Sequence, residues 1–272
     1  MAITEPTQIN AAVLTVRLLA LLQKLPTHSG KVTVHRLRTT VRRLEARLGK
    51  CPSKISRALR NLRKRAGKNR DLDVHGGLLK PTLLSRTQAN REALSQLRDI
   101  LMGKRDRHLE SLRCVVAEAA PLLVDKLPLL AEEASATIFG VDEPHARVER
   151  ARLRYMQWTR NVPDDPERLH RLRINTKKLR YSLESLEDST EAAELVAKFK
   201  RVQDAIGSWH DWATLSQLAE RKLDSRETEP LRAALLARSE REYRKARRTA
   251  ASVRDQLTDS LAALTQGNTS QQ

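Results

Sequence analysis

The sequence predicts an all-α protein, and three observations carry that reading. Nearly every long stretch of the 272 residues sets apolar side chains three and four positions apart, the spacing of one helix face rather than the alternation of a strand. Glycine and proline are few, 9 and 10, and most of them fall between the periodic stretches, where they remove donors or permit turns. The chain also contains one helix twice: Val34 to Leu44 returns 135 positions later as Leu169 to Leu179, with the cations in register even where the residue type changes. No segment reads as a convincing strand.

The periodicity predicts helices over about 7–24, 32–48, 53–66, 70–79, 86–119, 122–136, 143–160, 166–187, 190–206, 210–223 and 230–265. Pro26 with Gly30 ends the first, and Cys51-Pro52-Ser53 separates the second from the third. Gly76-Gly77 with Pro81, Gly140 with Pro144, Pro163 to Pro166, and Pro230 supply later breaks. The boundary between repeats falls near Phe139 to Pro144, giving a first helical-bundle repeat over 1–140 and a second over 141–272. Each has four to five helices, one of them long, which suits a bundle. The tail from Gly267 to Gln272 is polar and expected to fray.

At about 100° per residue, His35, Arg38 and Arg42 fall within about 60° of one another. Arg36, Arg43 and Arg47 take the adjoining strip, and Val34, Leu37, Val41, Leu44 and Leu48 the opposite face. His170, Arg173, Lys177 and Arg180 repeat the pattern in front of Leu169, Leu172, Leu179 and Leu183, with Arg171 and Lys178 beside them. A looser echo follows each motif: Arg60-Asn61-Leu62 with Gly67 and Arg70-Asp71, then Lys200-Arg201-Val202 with Gly207 and His210-Asp211. The duplicated unit is therefore at least a helix pair. Arg57, Arg60 and Lys64 share one strip and extend the cationic face, as do Lys200 and Arg201 in the other half. Asp71 and Asp211 are read as structural, either helix caps or partners of motif arginines. Tyr181, one turn beyond Lys177, can donate a phenolic hydrogen bond, and Glu184 can brace Arg180.

A merely solvated face mixes signs, because like charges at i, i+4 destabilise a helix. No acid stands between Lys31 and Arg43, or between Arg168 and Leu183. A ligand that supplies the negative charge explains this economically, and phosphate fits best: arginine offers a planar donor fork and lysine a compact charge. The histidines can donate from one or both ring nitrogens, and an anionic complex favours their protonated form. They are poor metal ligands here, since His35 has Arg38 and Thr39, and His170 has Arg173 and Ile174, where metal partners would stand. No metal and no cofactor is expected.

The whole chain repeats the message. With 51 Lys and Arg against 33 Asp and Glu, a formal charge of +18 and a pI near 10.5 recruit polyanions: nucleic acid, anionic membrane or phosphate polymers. Cys51 and Cys114 stand far apart without a Cys-x-x-Cys or Cys/His cluster, so neither a disulfide framework nor a zinc site is suggested and a reducing cytoplasm is the default. The N-terminus lacks the cationic start of a signal peptide, and Arg17 interrupts the apolar stretch from Ala11 to Leu22. No run approaches the roughly 20 apolar residues of a membrane span, so a soluble protein without membrane insertion is expected.

Three features together resemble the conserved histidine α-helical domain, or CHAD, over nearly the whole chain. They are the paired His-x-x-Arg-x-x-x-(Arg/Lys)-(Arg/Lys) helices, the Leu-Arg-Tyr-x-Leu-Glu ending at Leu179 to Glu184, and Gly-x-x-Arg-Asp-Leu-Asp-Val at Gly67 to Val74. The resemblance implies two four-helix bundles related by a pseudo-twofold axis, with the motif helices lining a basic central groove. It also implies binding of inorganic polyphosphate and association with polyphosphate granules. By motif match, His35, Arg38, Arg42 and Arg43 carry over in the first half, and His170, Arg173, Lys177, Lys178 and Arg180 in the second. The second half departs from the first where His210 replaces Arg70 and where Trp209 and Trp212 flank Asp211.

Such domains are often fused to a triphosphate-tunnel catalytic domain marked by Glu-x-Glu-x-Lys on a strand. The nearest string here, Glu240 to Arg244, ends in arginine within a helical stretch. A binding module and not an enzyme is expected. The rivals are nonspecific duplex DNA binding, which any chain of this charge shows at low salt, and a phosphate-anhydride enzyme, disfavoured because no paired acids accompany the cations to hold magnesium. A third is a scaffold docking an acidic partner on the arginine-rich stretch from Arg238 to Arg248. Single-strand binding is disfavoured at 3% aromatic residues, because stacking platforms are few.

Overall fold

The structure, a computed structural model, describes residues 10–48, 51–80, 88–136, 144–161, 165–184 and 190–267. Among the described residues there is no strand. The helices are α1 (Ala11–Lys24), α2 (Lys31–Leu48), α3 (Ser53–Leu78), α4 (Gln88–Ala136), α5 (Pro144–Thr159), α6 (Pro166–Leu183), α7 (Thr190–Lys222) and α8 (Glu229–Gly267), with a 3-10 turn at Arg226–Thr228. The chain divides into two compact units, Met1–Leu83 with Leu94–Phe139, and Leu84–Ala93 with Gly140–Gln272. Residues 139–143, where the sequence puts the boundary between repeats, and 268–272 of the polar tail lie outside the described residues.

Three expected breaks are absent, for one physical reason. Gly67 and Gly207 lie inside α3 and α7, and Pro121 and Pro128 lie inside α4. A buried row, Leu109, Leu112, Val116, Ala119, Leu123, Leu127 and Ala131, runs past both prolines at helical spacing, so packing holds the helix together. The carbonyls that the prolines leave unpaired belong to Ala117 and Val124, both exposed, where water can serve them. Glycine in a helix interior costs only about 1 kcal/mol against alanine, too little to break a helix with an apolar face on either side.

In the first unit, α1 packs on α2 and α2 on α3. Leu14, Leu18 and Leu22 meet Val34, Leu37, Val41 and Leu44, with Ile55, Leu59 and Leu62 of α3 and the buried row of α4. In the second, α6 packs on α5 and α7, and α8 on α5 and α7. Tyr155, Leu169, Leu172, Phe199, Val202, Ile206, Val253 and Leu257 form its core, with the Tyr155 and Phe199 rings 4.8 Å apart. Each fully buried Leu, Val or Phe contributes about 1.5–3 kcal/mol. Thr176 stands in this core where α2 has Val41, and its hydroxyl donates to the Leu172 carbonyl at 2.8 Å, so that hydroxyl is not stranded.

Side-chain caps mark two of the helix starts. The Asn10 Oδ1 accepts from the Val13 N–H at 2.9 Å and caps α1. For α6 the Asp165 Oδ1 accepts from the Arg168 N–H at 2.8 Å, with Pro166 in the first turn.

The first unit also contains a polar clasp between α3 and α4. Arg105 Nε of α4 donates to Asp73 Oδ1 at 2.6 Å, with both side chains largely buried, and the fully buried Asn69 donates to the His108 carbonyl at 2.9 Å. Removing one partner of a buried pair strands the other charge, at about 3–5 kcal/mol. Asp73→Ala should therefore lower unfolding stability in urea by about 3 kcal/mol, whereas Asp73→Leu with Arg105→Met should restore most of it. Equal losses in the single and double variants would show that the pair itself stabilises the fold.

Candidate anion-binding site

The motif residues of α2 divide between the two shoulders of its apolar stripe. His35, Arg38 and Arg42 lie on the shoulder next to α3, Arg38 and Arg42 half-buried and His35 exposed. Arg38 rests against Gly67 of α3: a β-carbon added there would meet Arg38 Nε at 3.5 Å. His35 lies in the field of Arg70, three residues beyond that glycine, and of Arg38. Farther along, Arg63 Nε and Glu45 Oε2 form an ion pair at 2.6 Å and tie the helices together. On α3, Arg60 and Lys64 are exposed within about 60° of Gly67, and the exposed Arg57 lies about 80° away. The α2–α3 strip is thus His35, Arg38, Arg42, Arg60, Lys64 and Arg70.

Arg36 and Arg43 are exposed on the other shoulder, about 80–160° round α2 from the strip. They are on the motif helix but not on the same face.

The second unit pairs α6 with α7 in the same register. Arg173 lies over Gly207, whose added β-carbon would meet Arg173 Nε at 3.7 Å and Nη2 at 3.9 Å. The His170 and His210 rings are 4.8 Å apart between centroids, and the buried Trp209 stands edge-on to His210 at 6.3 Å. Arg180 Nε donates to Gln203 Oε1 at 3.1 Å and Nη1 to Glu184 Oε1 at 2.6 Å, so Glu184 braces Arg180. Lys177 is half-buried on this shoulder, and Lys200 is exposed within about 20° of Gly207 on α7. Arg173 Nε is buried with no hydrogen-bond partner among the described residues.

Arg171 and Lys178 take the far shoulder of α6, as Arg36 and Arg43 do on α2, and Arg171 is paired with Glu167 at 2.6 Å. Arg201 points elsewhere: its Nη2 donates to Gln256 Oε1 of α8 at 3.2 Å, because it lies about 120° round α7 from Gly207. The side chain of Tyr181 lies outside the described residues.

Positions 135 apart on α2 and α6, and 140 apart on α3 and α7, therefore meet in the same pairs. Arg38 with Gly67 corresponds to Arg173 with Gly207, His35 with Arg70 to His170 with His210, and Glu45 with Arg63 to Arg180 with Gln203. Sequence reasoning found both echoes but left Gly67, Arg70, Gly207 and His210 out of the site, because it took the glycines for helix ends. The available signal was the glycine followed three residues later by Arg70 or His210. Asp71 and Asp211 lie in mid-helix and cap nothing; Asp71 is exposed, with Oδ1 4.0 Å from Arg70 Nη1.

Burial, then the charges of Arg70 and Arg38, hold the His35 pKa below its ordinary value; burial, then Arg173, do the same for His170. Both are therefore mostly neutral at pH 7 and able to gain charge next to an anion. Among the described residues no group of three His, Cys, Asp or Glu is placed to hold a metal ion, and no helix is long and apolar enough to cross a membrane.

Comparison with known proteins agrees with the all-α fold. A comparison with curated proteins gives no match. The fold is similar to the crystal structure of the CHAD domain from the plant Ricinus communis, with a TM-score of 0.67 over 91% of this chain and 89% of that one, at 21% identity. The CHAD domain family matches residues 21–220, both helix pairs included, and the chain belongs to that family.

Proposed function

We propose that the chain binds inorganic polyphosphate through the strips on α2–α3 and α6–α7, and that this binding associates it with polyphosphate granules. The observation that carries the reading is the repeated placement of an arginine over a glycine with a histidine one turn away, in two units of one chain. Arg173 Nε, buried without a partner among the described residues, adds a donor that a phosphate oxygen would satisfy. The family resemblance supports the same ligand. A polymer is favoured over a single phosphate because a chain held by one strip is presented to the other at high effective concentration. Binding without catalysis is part of the proposal; Glu45 and Glu184, two of the acids next to the strips, are engaged by Arg63 and Arg180.

The two shoulders supply a matched control. Arg38→Gln with Arg42→Gln should weaken long-chain polyphosphate binding by about 100-fold or more, at about 1.5–3 kcal/mol for each of the two lost charged hydrogen bonds. Arg36→Gln with Arg43→Gln removes the same charge from the far shoulder and should cost at most about threefold by titration calorimetry. Equal losses would mean that the ligand reads bulk charge, and the strip assignment would fall.

Protonation supplies the second prediction. A bound polyanion raises the pKa of His35 and His170 from their depressed values in the free protein, so binding takes up protons. The gain is fully present below the free-state pKa and is lost as pH rises through the bound-state pKa. Affinity at fixed salt should fall between about pH 5.5 and 8, around the ordinary histidine value, and His35→Gln with His170→Gln should flatten the profile. An unchanged slope in that variant would place the titrating groups elsewhere.

A further inference from the structure

α8 contains a cationic face that neither helix pair accounts for and that lies beyond the 21–220 span of the family match. Arg244, Arg247, Arg248 and Ala251 stand at i, i+3, i+4 and i+7, on one side of the helix. The opposite side is the buried stripe Leu231, Leu235, Ala246, Ala250, Val253 and Leu257, so core packing does not need these arginines. They line one side of an open depression in the surface. Ala251 adds no bulk to it, and Arg247 is steadied over the Tyr243 ring, 5.9 Å from its centroid.

The acids nearest in sequence do not cancel this charge. Arg254 Nη2 holds Asp255 at 2.7 Å, and Glu242 is buried between Arg238 at 2.9 Å and the Ser208 hydroxyl at 3.0 Å. Glu240, exposed one turn before Arg244, is one carboxylate beside the two exposed guanidinium groups of Arg244 and Arg248. Like charges at i, i+3 and i+4 destabilise a helix, and planar guanidinium forks suit phosphate oxygens.

We propose that Arg244, Arg247 and Arg248 form a further phosphate-binding surface, on a helix outside both strips, for a phosphoanhydride chain. The choice of ligand rests on the function proposed above; the existence of the surface does not. Long-chain polyphosphate and an equally charged DNA duplex would be titrated into the full chain in four forms. These are the native chain; a strip variant with Arg38→Gln, Arg42→Gln, Arg173→Gln and Lys177→Gln; an α8 variant with the exposed pair Arg244→Gln and Arg248→Gln; and the two combined. Arg17→Gln with Lys24→Gln, both exposed on α1, is the charge control, and circular dichroism checks each fold.

The strip variant should keep residual polyphosphate affinity, which the α8 pair lowers by a further factor of about five or more while the control pair changes it less than about twofold. An α8 effect no larger than the control overturns the surface and leaves the strips standing. Loss of binding in the α8 variant with native binding in the strip variant supports the surface and removes the strips. Residual binding to the duplex as tight as to polyphosphate, and equally sensitive to the α8 pair, overturns the phosphoanhydride assignment.

Discussion

A guanidinium group can rest this close to a neighbouring helix only where that helix presents a very small side chain or none, and the α2–α3 and α6–α7 pairs both depend on this. Gly67 and Gly207 leave the space in which Arg38 and Arg173 lie. An alanine β-carbon would make ordinary van der Waals contact at 3.5–3.7 Å, so a methyl group fits and a longer side chain does not. Glycine costs about 1 kcal/mol in a helix interior, and here its effect is close approach rather than a turn. The neighbouring site residues follow from the register it sets: Arg70 and His210 come opposite His35 and His170, and Arg63 and Gln203 opposite Glu45 and Arg180.

Cations concentrated on one shoulder repel one another, and the helices do not hold them by propensity alone. The apolar stripes do. Val34, Leu37, Val41 and Leu44 in one unit, and Leu169, Leu172, Leu179 and Leu183 in the other, are buried and anchor the helix whose shoulder carries the charge. The cross-helix pairs Arg63–Glu45 and Arg180–Gln203 then set the far end of each strip. The strip is thereby built on rigid elements, and a polyanion meets donors that are already placed.

Much of this was legible in the sequence, because helical periodicity and the 135-residue repeat are local patterns. The all-α class, the motif helices and the brace of Glu184 on Arg180 all follow from spacing. What misled was the local meaning of glycine and proline. Gly67, Gly207 and Pro121 read as breaks when each segment is taken alone, yet tertiary packing of the faces around them overrides that preference. The division into two shoulders was also hidden: spacing puts Arg36 and Arg43 on the motif helix, but only the position of α3 shows which shoulder faces it. Arg201 likewise lies off the strip, with its partner Gln256 55 residues away on another helix.

The central claim is that the chain recognises a phosphoanhydride polymer through placed donors and not merely through its charge. Competition between long-chain polyphosphate and a DNA duplex, at equal phosphate concentration and across a salt series, tests it most directly. Both affinities should fall steeply with salt as counterions are exchanged. The account predicts that polyphosphate displaces the duplex at every salt concentration and that its advantage widens as salt screens the nonspecific part. Equal affinities that fall together along the series would contradict it.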